Sequence, residues 1–493
     1  MDSQDTHLSQ TDGPSHAELV KQRIFFVVLV ATMGSLAFGY DTGIISGALP
    51  YMSSPMAEGG LGLNSFTEGL VASSLIFGAA LGSFFSGFFS DKFGRRITLR
   101  SLAIVFVVGS LGTALAPTVP TMVAMRFLLG IAVGGGSSTV PVFIAEIAGP
   151  KLRAPLVSRN ELMIVTGQLV AYVVSALLSY LLHDGHLWRY MLAIAMVPGI
   201  LLFFGTFFVP VSPHWLVSEG RPEEAKKILK RFRATPREVN KELTQMRKQA
   251  KQAERGPDVM TLIREKWVLR LMIVGIGLGF ALQFTGVNAF MYYTPIILKS
   301  TGLGTTAAIT ATIGNGVVAV IAAFAGIWAV SRFSRRRMLI TGFIFVIFAQ
   351  VSLGLVLSLL PADITQSYIA LACILLFLFF MQMFIAPVYW LLMSELFPMQ
   401  LRGRLTGTAI SIQWIFNALV AFSFPPVMAY AGSKTFFIFA VINVGSLLFI
   451  MLMVPETRGK SLEEIETHMR EKFGEKHENV TQDLSANDKS SPE

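Results

Sequence analysis

Gly87-Phe88-Phe89-Ser90-Asp91-Lys92-Phe93-Gly94-Arg95-Arg96 lies between two long apolar stretches, and a degenerate copy, Ser331-Arg332-Phe333-Ser334-Arg335-Arg336, lies between two more about 240 residues later. A second pair recurs with it: Glu146 and Arg153 stand seven residues apart, and so do Glu395 and Arg402. Repeats read in the same direction on either side of a mid-chain insert mark a chain of two related halves, and their apolar setting places both halves in a membrane.

Composition gives the same answer. Of 493 residues, 53% are hydrophobic and only 14% charged, so lipid rather than water is the expected solvent. Apolar runs close to the roughly 20 residues that cross about 30 Å of hydrocarbon begin near Ile24, Phe66, Ile97, Met122, Pro155, Tyr190, Trp267, Ala307, Met338, Tyr368, Gly403 and Phe436. The expected fold is an all-α membrane protein with twelve transmembrane helices in two six-helix bundles. Its expected divisions are a tail (1–22), a first bundle (23–210), linker helices (211–266), a second bundle (267–454) and a second tail (455–493).

The formal charge of +9 could point to nucleic acid, but its distribution points to topology. Lys92, Arg95, Arg96 and Arg100 crowd the second connection, Lys151 and Arg153 the fourth, Arg332 to Arg337 the eighth, and Arg402 and Arg404 the tenth, while the alternate connections are nearly bare. The positive-inside rule then makes both termini and the even connections cytoplasmic, in a cell (inner) membrane. No nucleic-acid partner is expected. The first 22 residues lack the pattern of a cleaved signal peptide, so insertion is expected to rely on the first span. The single cysteine, Cys373, lies in an apolar run and reads as a packing residue. No cluster of His, Cys or carboxylates has catalytic or metal-ligand spacing, so no enzyme, metal or cofactor is expected.

Lysines and arginines from Lys226 to Lys251, interleaved with Glu223, Glu224, Glu242 and Glu254, read as short amphipathic helices joining the halves, either simply solvated or meeting anionic lipid headgroups or a partner. Ionisable groups inside the spans are more telling, because each costs about 2.5 to 3.5 kcal/mol at a helix centre. Asp41 precedes Pro50 by nine residues, hence about 13 Å below the outer end of its helix, and Arg126 follows Pro120 by six, about 9 Å below the same surface. A reversible Asp41 to Arg126 pair is therefore in reach, although an arginine this near a helix end can also snorkel. Burial and the guanidinium act on the Asp41 proton in opposite senses, so a conformational change that alters either would switch its proton affinity. Asp91, Arg95, Glu146, Arg153, Glu395 and Arg402, at cytoplasmic helix ends in both halves, are candidates for ion pairs that open and close that side, with a purely structural role as the alternative.

Gln168, Gln283, Asn288, Gln413 and Asn417 place amides in three otherwise apolar spans, with Trp390 and Trp414 offering flat faces. Amides donate and accept, and rings stack on C–H faces, which suits a neutral polyhydroxy solute; singly, each amide more often joins helices.

Four motifs resemble the sugar porters of the major facilitator superfamily, from about residue 23 to 464: Phe38 to Ala48 (FGYDTGIISGA), Gly87 to Arg96, Glu146 to Arg153, and Pro455-Glu456-Thr457-Arg458-Gly459. The resemblance implies that Asp41 and Arg126 form the proton-coupling pair of the symporter branch, and that Gln168, Gln283, Asn288, Trp390, Gln413 and Trp414 line the substrate cavity. Phe66 to Val71 and Asn160 to Val165 look most similar to bacterial myo-inositol:proton symporters. Glu161 departs from a sugar-contacting Gln found in many sugar porters, and an ionised carboxylate, which only accepts hydrogen bonds, suits a ring with a hydroxyl on every carbon. Leu282 replaces the first Gln of a usual pair, Val211 and His214 interrupt the Pro-Glu-Ser-Pro-Arg-Trp-Leu pattern, and Ser331 and Ser334 replace Asp and Gly in the second-half loop. The expectation is proton-coupled uptake of a cyclic polyol, with myo-inositol favoured. The alternatives are a pentose or hexose proton symporter, or an uncoupled sugar facilitator; the partners are the small-molecule polyol or sugar, the proton and the lipid bilayer.

Overall fold

A computed structural model describes residues 16–148, 153–182, 184–233, 235–254, 265–397 and 402–458. Twelve helices among them are long and apolar enough to cross a membrane, numbered here as spans 1 to 12: Glu18–Met52, Ser65–Phe93, Arg95–Ala114, Val119–Ala148, Asn160–Leu181, Leu187–Gly205, Lys266–Ser300, Thr305–Arg332, Arg335–Leu359, Ile364–Met393, Leu405–Ala431 and Lys434–Met453. Each begins near an expected apolar run, and no strand occurs among the described residues. Span 1 does not stop at Pro50 but runs through it to Met52. Spans 1 and 7, at 35 residues, are about 52 Å long and overshoot the hydrocarbon.

Alternating spans bring the even-numbered connections and the linker to one end, called here the basic end. Within lipid the apolar effect does not drive helices together, so close packing has to, and glycine permits it. A Cβ on Gly130 would lie 1.9 Å from the Leu75 carbonyl oxygen and one on Gly39 1.9 Å from that of Ile164, so spans 2 and 4, and spans 1 and 5, touch backbone to backbone. In the second bundle, stacked rings do similar work, with Phe345 and Phe380 centroids 3.9 Å apart between spans 9 and 10. Large exposed side chains such as Phe84, Phe88, Phe204 and Phe348 face outward, where a bilayer would cover them.

The halves meet toward the end opposite the basic loops. There the Phe66 ring of span 2 meets Phe422 of span 11 edge-on at 5.4 Å, and a Cβ on Gly69 would come within 2.3 Å of the Phe422 carbonyl. Ser179 of span 5 donates to Thr306 of span 8 at 3.3 Å in the same region. Between the halves, Pro213–Ser218, Pro222–Phe232 and Pro236–Glu254 form three short helices, each with proline at its start, where a missing N–H is harmless. Arg233 fastens them to the first bundle, donating to Glu242 at 2.8 Å and to the Ile147 carbonyl at 2.8 Å.

Candidate functional site

Asp41 and Arg126 are each 1% exposed, and Arg126 Nη1 lies 3.5 Å from Asp41 Oδ1. Similar depth on neighbouring helices therefore becomes contact. The pair is long for a charge-assisted hydrogen bond, and Asp41 Oδ2 has no partner among the described residues. Arg126 also donates through Nε to the Val71 carbonyl at 2.9 Å, which anchors the guanidinium to span 2 independently of Asp41. The arginine is fixed and the carboxylate is loosely held.

At mid-depth the helices are broken, and polar groups collect at the breaks. Span 7 is interrupted at Thr285 and Gly286, the glycine having φ +81°, and this turn separates Gln283 from Asn288. The freed Thr285 carbonyl is met by Gln350 Nε2 at 2.7 Å, and Asn443 donates to Gln350 at 3.0 Å, so a buried relay supports the break. Asn288 Nδ2 donates to Gln283 Oε1 at 2.9 Å and to Asn417 Oδ1 at 2.8 Å, joining spans 7 and 11. Span 10 carries a π turn at Met381–Ile385, and its Gln382 donates to Glu161 Oε1 of span 5 at 3.2 Å, bridging the halves.

Gln168 Oε1, Gln413 Oε1 and Trp414 Nε1 are buried without hydrogen-bond partners among the described residues. Two acceptors and a donor left free at this depth suit a ligand bearing hydroxyls, since each would otherwise be a penalty of about 1 to 3 kcal/mol. Trp414 packs against Phe38 at 5.7 Å, and Trp390 is 39% exposed beside the buried Tyr389.

At the basic end each bundle holds one buried-to-partly-buried carboxylate in matching fashion. Arg95 pairs with Glu146 at 3.1 Å and with the exposed Asp91 at 3.0 Å, and Ser212 donates to the other Glu146 oxygen. In the second half, Arg335 pairs with Glu395 at 3.4 Å and Thr457 donates to Glu395 Oε2 at 2.6 Å. Glu395 is therefore held by Arg335; the side chains of Arg153 and Arg402 lie outside the described residues. Sequence reasoning missed Arg335, although it occupies the place of Arg95 in the repeated loop. The halves differ in their second acid. Glu456 accepts from the Arg335, Arg336 and Arg458 backbone N–H groups, which outweigh its burial and hold its carboxyl below the usual range, whereas the first half has Val211 at the matching place. Gln382, Gln350 and Asn443 were also missed; the Gln-Met sequence beside a proline two turns from Trp390 carried no period to reveal a π turn.

Twelve apolar spans with a buried ion pair, amides and a tryptophan N–H collected at mid-depth, and matching charge clusters at one end of each bundle, define a membrane transporter. The chain belongs to the Sugar (and other) transporter family, whose model matches residues 27–469. It is 44% identical over 448 residues to the major myo-inositol transporter IolT of Bacillus subtilis (strain 168), covering 90% of this chain and 94% of that protein. It is 36% identical over 463 residues to the galactose-proton symporter of Escherichia coli (strain K12), covering 93% and 97%. An inward-open structure of the xylose transporter XylE from E. coli superposes with a TM-score of 0.76 at 30% identity, covering 90% of this chain and 99% of that one, so the fold is the major facilitator fold.

Proposed function

We propose that this protein is a proton-coupled symporter that carries a cyclic polyol, most specifically myo-inositol, into the cell by alternating access. One observation carries the reading: the loosely held Asp41 lies against a fixed Arg126, and the buried groups left free among the described residues, Gln168 Oε1, Gln413 Oε1 and Trp414 Nε1, match hydroxyls. Protonation of Asp41 removes one charge of the pair, so the energies of the two facing states depend on proton and solute together. Gln283, Asn288, Gln413, Trp390 and Trp414 contact the solute, and Glu161 reads one of its hydroxyls.

The basic end is cytoplasmic, by the distribution of Lys and Arg among the connections, and the membrane is the cell membrane. The backbone-close contact of Gly69 with Phe422 and the meeting of Phe66 and Phe422 lie at the opposite end, and with them the described conformation is read as facing inward. Arg95 with Glu146 and Arg335 with Glu395 stabilise the arrangement of the cytoplasmic helix ends in each half. Myo-inositol is favoured by the relationship to IolT and by the acceptor character of Glu161; a hexose or pentose is the second reading, favoured by the galactose and xylose relatives. Proteoliposome uptake of labelled myo-inositol, galactose and xylose, each with and without an imposed proton gradient, tests both parts. Gradient-independent uptake of all three would overturn coupling, and galactose or xylose uptake far above inositol would overturn the substrate.

A further inference from the structure

A second cavity, of about 790 Å³, lies well away from the transport site, where the starts of spans 1 and 3, the end of span 6 and the linker helix Pro222–Phe232 converge. Three arginines line it, Arg23, Arg96 and Arg231, and no carboxylate is among its lining residues in the described part of the chain. Arg23 donates to the Arg231 carbonyl at 3.4 Å and Arg96 to the Val209 carbonyl at 3.3 Å. A guanidinium has five N–H donors, so these backbone bonds orient the arginines and leave most of their donors and all of their charge. Phe26, Phe207 and Phe208 form the wall on the apolar side, and they are 45%, 52% and 75% exposed.

Three span ends fix the depth of this groove at the boundary between hydrocarbon and water, and the aromatic rings lie where such rings sit at that boundary. Arginines converging there without carboxylates are a poor arrangement for a free protein, because like charges repel, and a good one for a phosphate that can accept from several guanidinium forks at once. Exposed phenylalanines continuing toward the bilayer centre offer a path for acyl chains, which a soluble anion would not need. We propose that this groove binds the phosphodiester headgroup of an anionic phospholipid from the same leaflet, with the chains lying along Phe26, Phe207 and Phe208. The bound lipid then bridges the first bundle, through Arg23 and Arg96, to the linker, through Arg231.

The test is a titration of the full-length protein in detergent micelles with dioleoylphosphatidylglycerol or dioleoylphosphatidylcholine, followed by native mass spectrometry. The glycerol lipid should bind in preference to the choline lipid, and the double substitution Arg23→Gln, Arg231→Gln should weaken its binding by about 30-fold, the loss expected of two interfacial cations, while leaving the choline lipid unaffected. Arg23→Lys with Arg231→Lys should retain most of the preference, and raised ionic strength should weaken it in the unaltered protein even if the Gln variant does not fold. Equal binding of the two lipids, insensitivity to salt, or undiminished binding in a folded Gln variant would overturn the proposal. So would full competition by inorganic phosphate, which would make the groove a site for soluble anions.

Discussion

Replacing Asp41 by Asn separates the transport of solute from its accumulation. At 3.5 Å and an effective dielectric constant near 20, the attraction between Asp41 and Arg126 is about 5 kcal/mol before desolvation is subtracted. Breaking a buried pair on one side costs about 3 to 5 kcal/mol, because the remaining charge stays buried. The amide oxygen of Asn can still accept from Nη1, and Arg126 keeps its bond to the Val71 carbonyl, so the cost should fall at the low end of that range. The coupling loss is separate from this and larger in effect. One positive charge moving inward across about 100 mV releases roughly 2.3 kcal/mol, which at about 1.36 kcal/mol per tenfold sustains on the order of 50-fold accumulation. Asp41→Asn cannot take up the proton, so a concentration ratio near unity is expected, with counterflow exchange retained. The assay is uptake into proteoliposomes under a potassium diffusion potential, negative inside, with external pH recorded. The double substitution Asp41→Asn, Arg126→Gln, which removes both charges, should recover stability without recovering accumulation. If Asp41→Asn still concentrates solute while acidifying the lumen, the coupling site lies elsewhere.

Three further outcomes are expected. Gln283→Ala removes the acceptor that orients Asn288, and one lost hydrogen bond of about 1 kcal/mol should raise KM roughly fivefold at unchanged membrane abundance; unaltered kinetics would remove Gln283 from the site. Glu161→Gln adds a donor where an ionised carboxylate only accepts, so the ratio of inositol to glucose uptake should change while proton coupling persists; an unchanged ratio would assign Glu161 to its bond with Gln382 alone. Arg335→Gln leaves Glu395 with Thr457 as its remaining hydrogen-bond donor among the described residues, and should lower maximal uptake rate with little change in KM, because the affected cluster lies far from the solute; a change confined to KM would contradict that role.

Depth along a helix is a one-dimensional quantity, fixed at 1.5 Å per residue, and the sequence by itself determined whatever depends on it. Twelve apolar lengths gave the spans, the recurrence of Asp91 to Arg96 at Ser331 to Arg336 gave the tandem halves, and counting from Pro50 and Pro120 brought Asp41 and Arg126 to a common level. Rotation about the helix axis is different. In a soluble helix an apolar stripe reports which face turns inward, but lipid is as apolar as a protein core, and these spans are apolar all round. Which side chains meet was therefore decided only by tertiary structure: by glycine contacts such as Gly130 on Leu75, by the break at Gly286 and by the π turn that turns Gln382 toward Glu161. The same reason explains Glu395. Arg335 lies at the same end of the bundle as it does, but depth alone could not show that the two side chains meet, and the structure puts Arg335 3.4 Å from it.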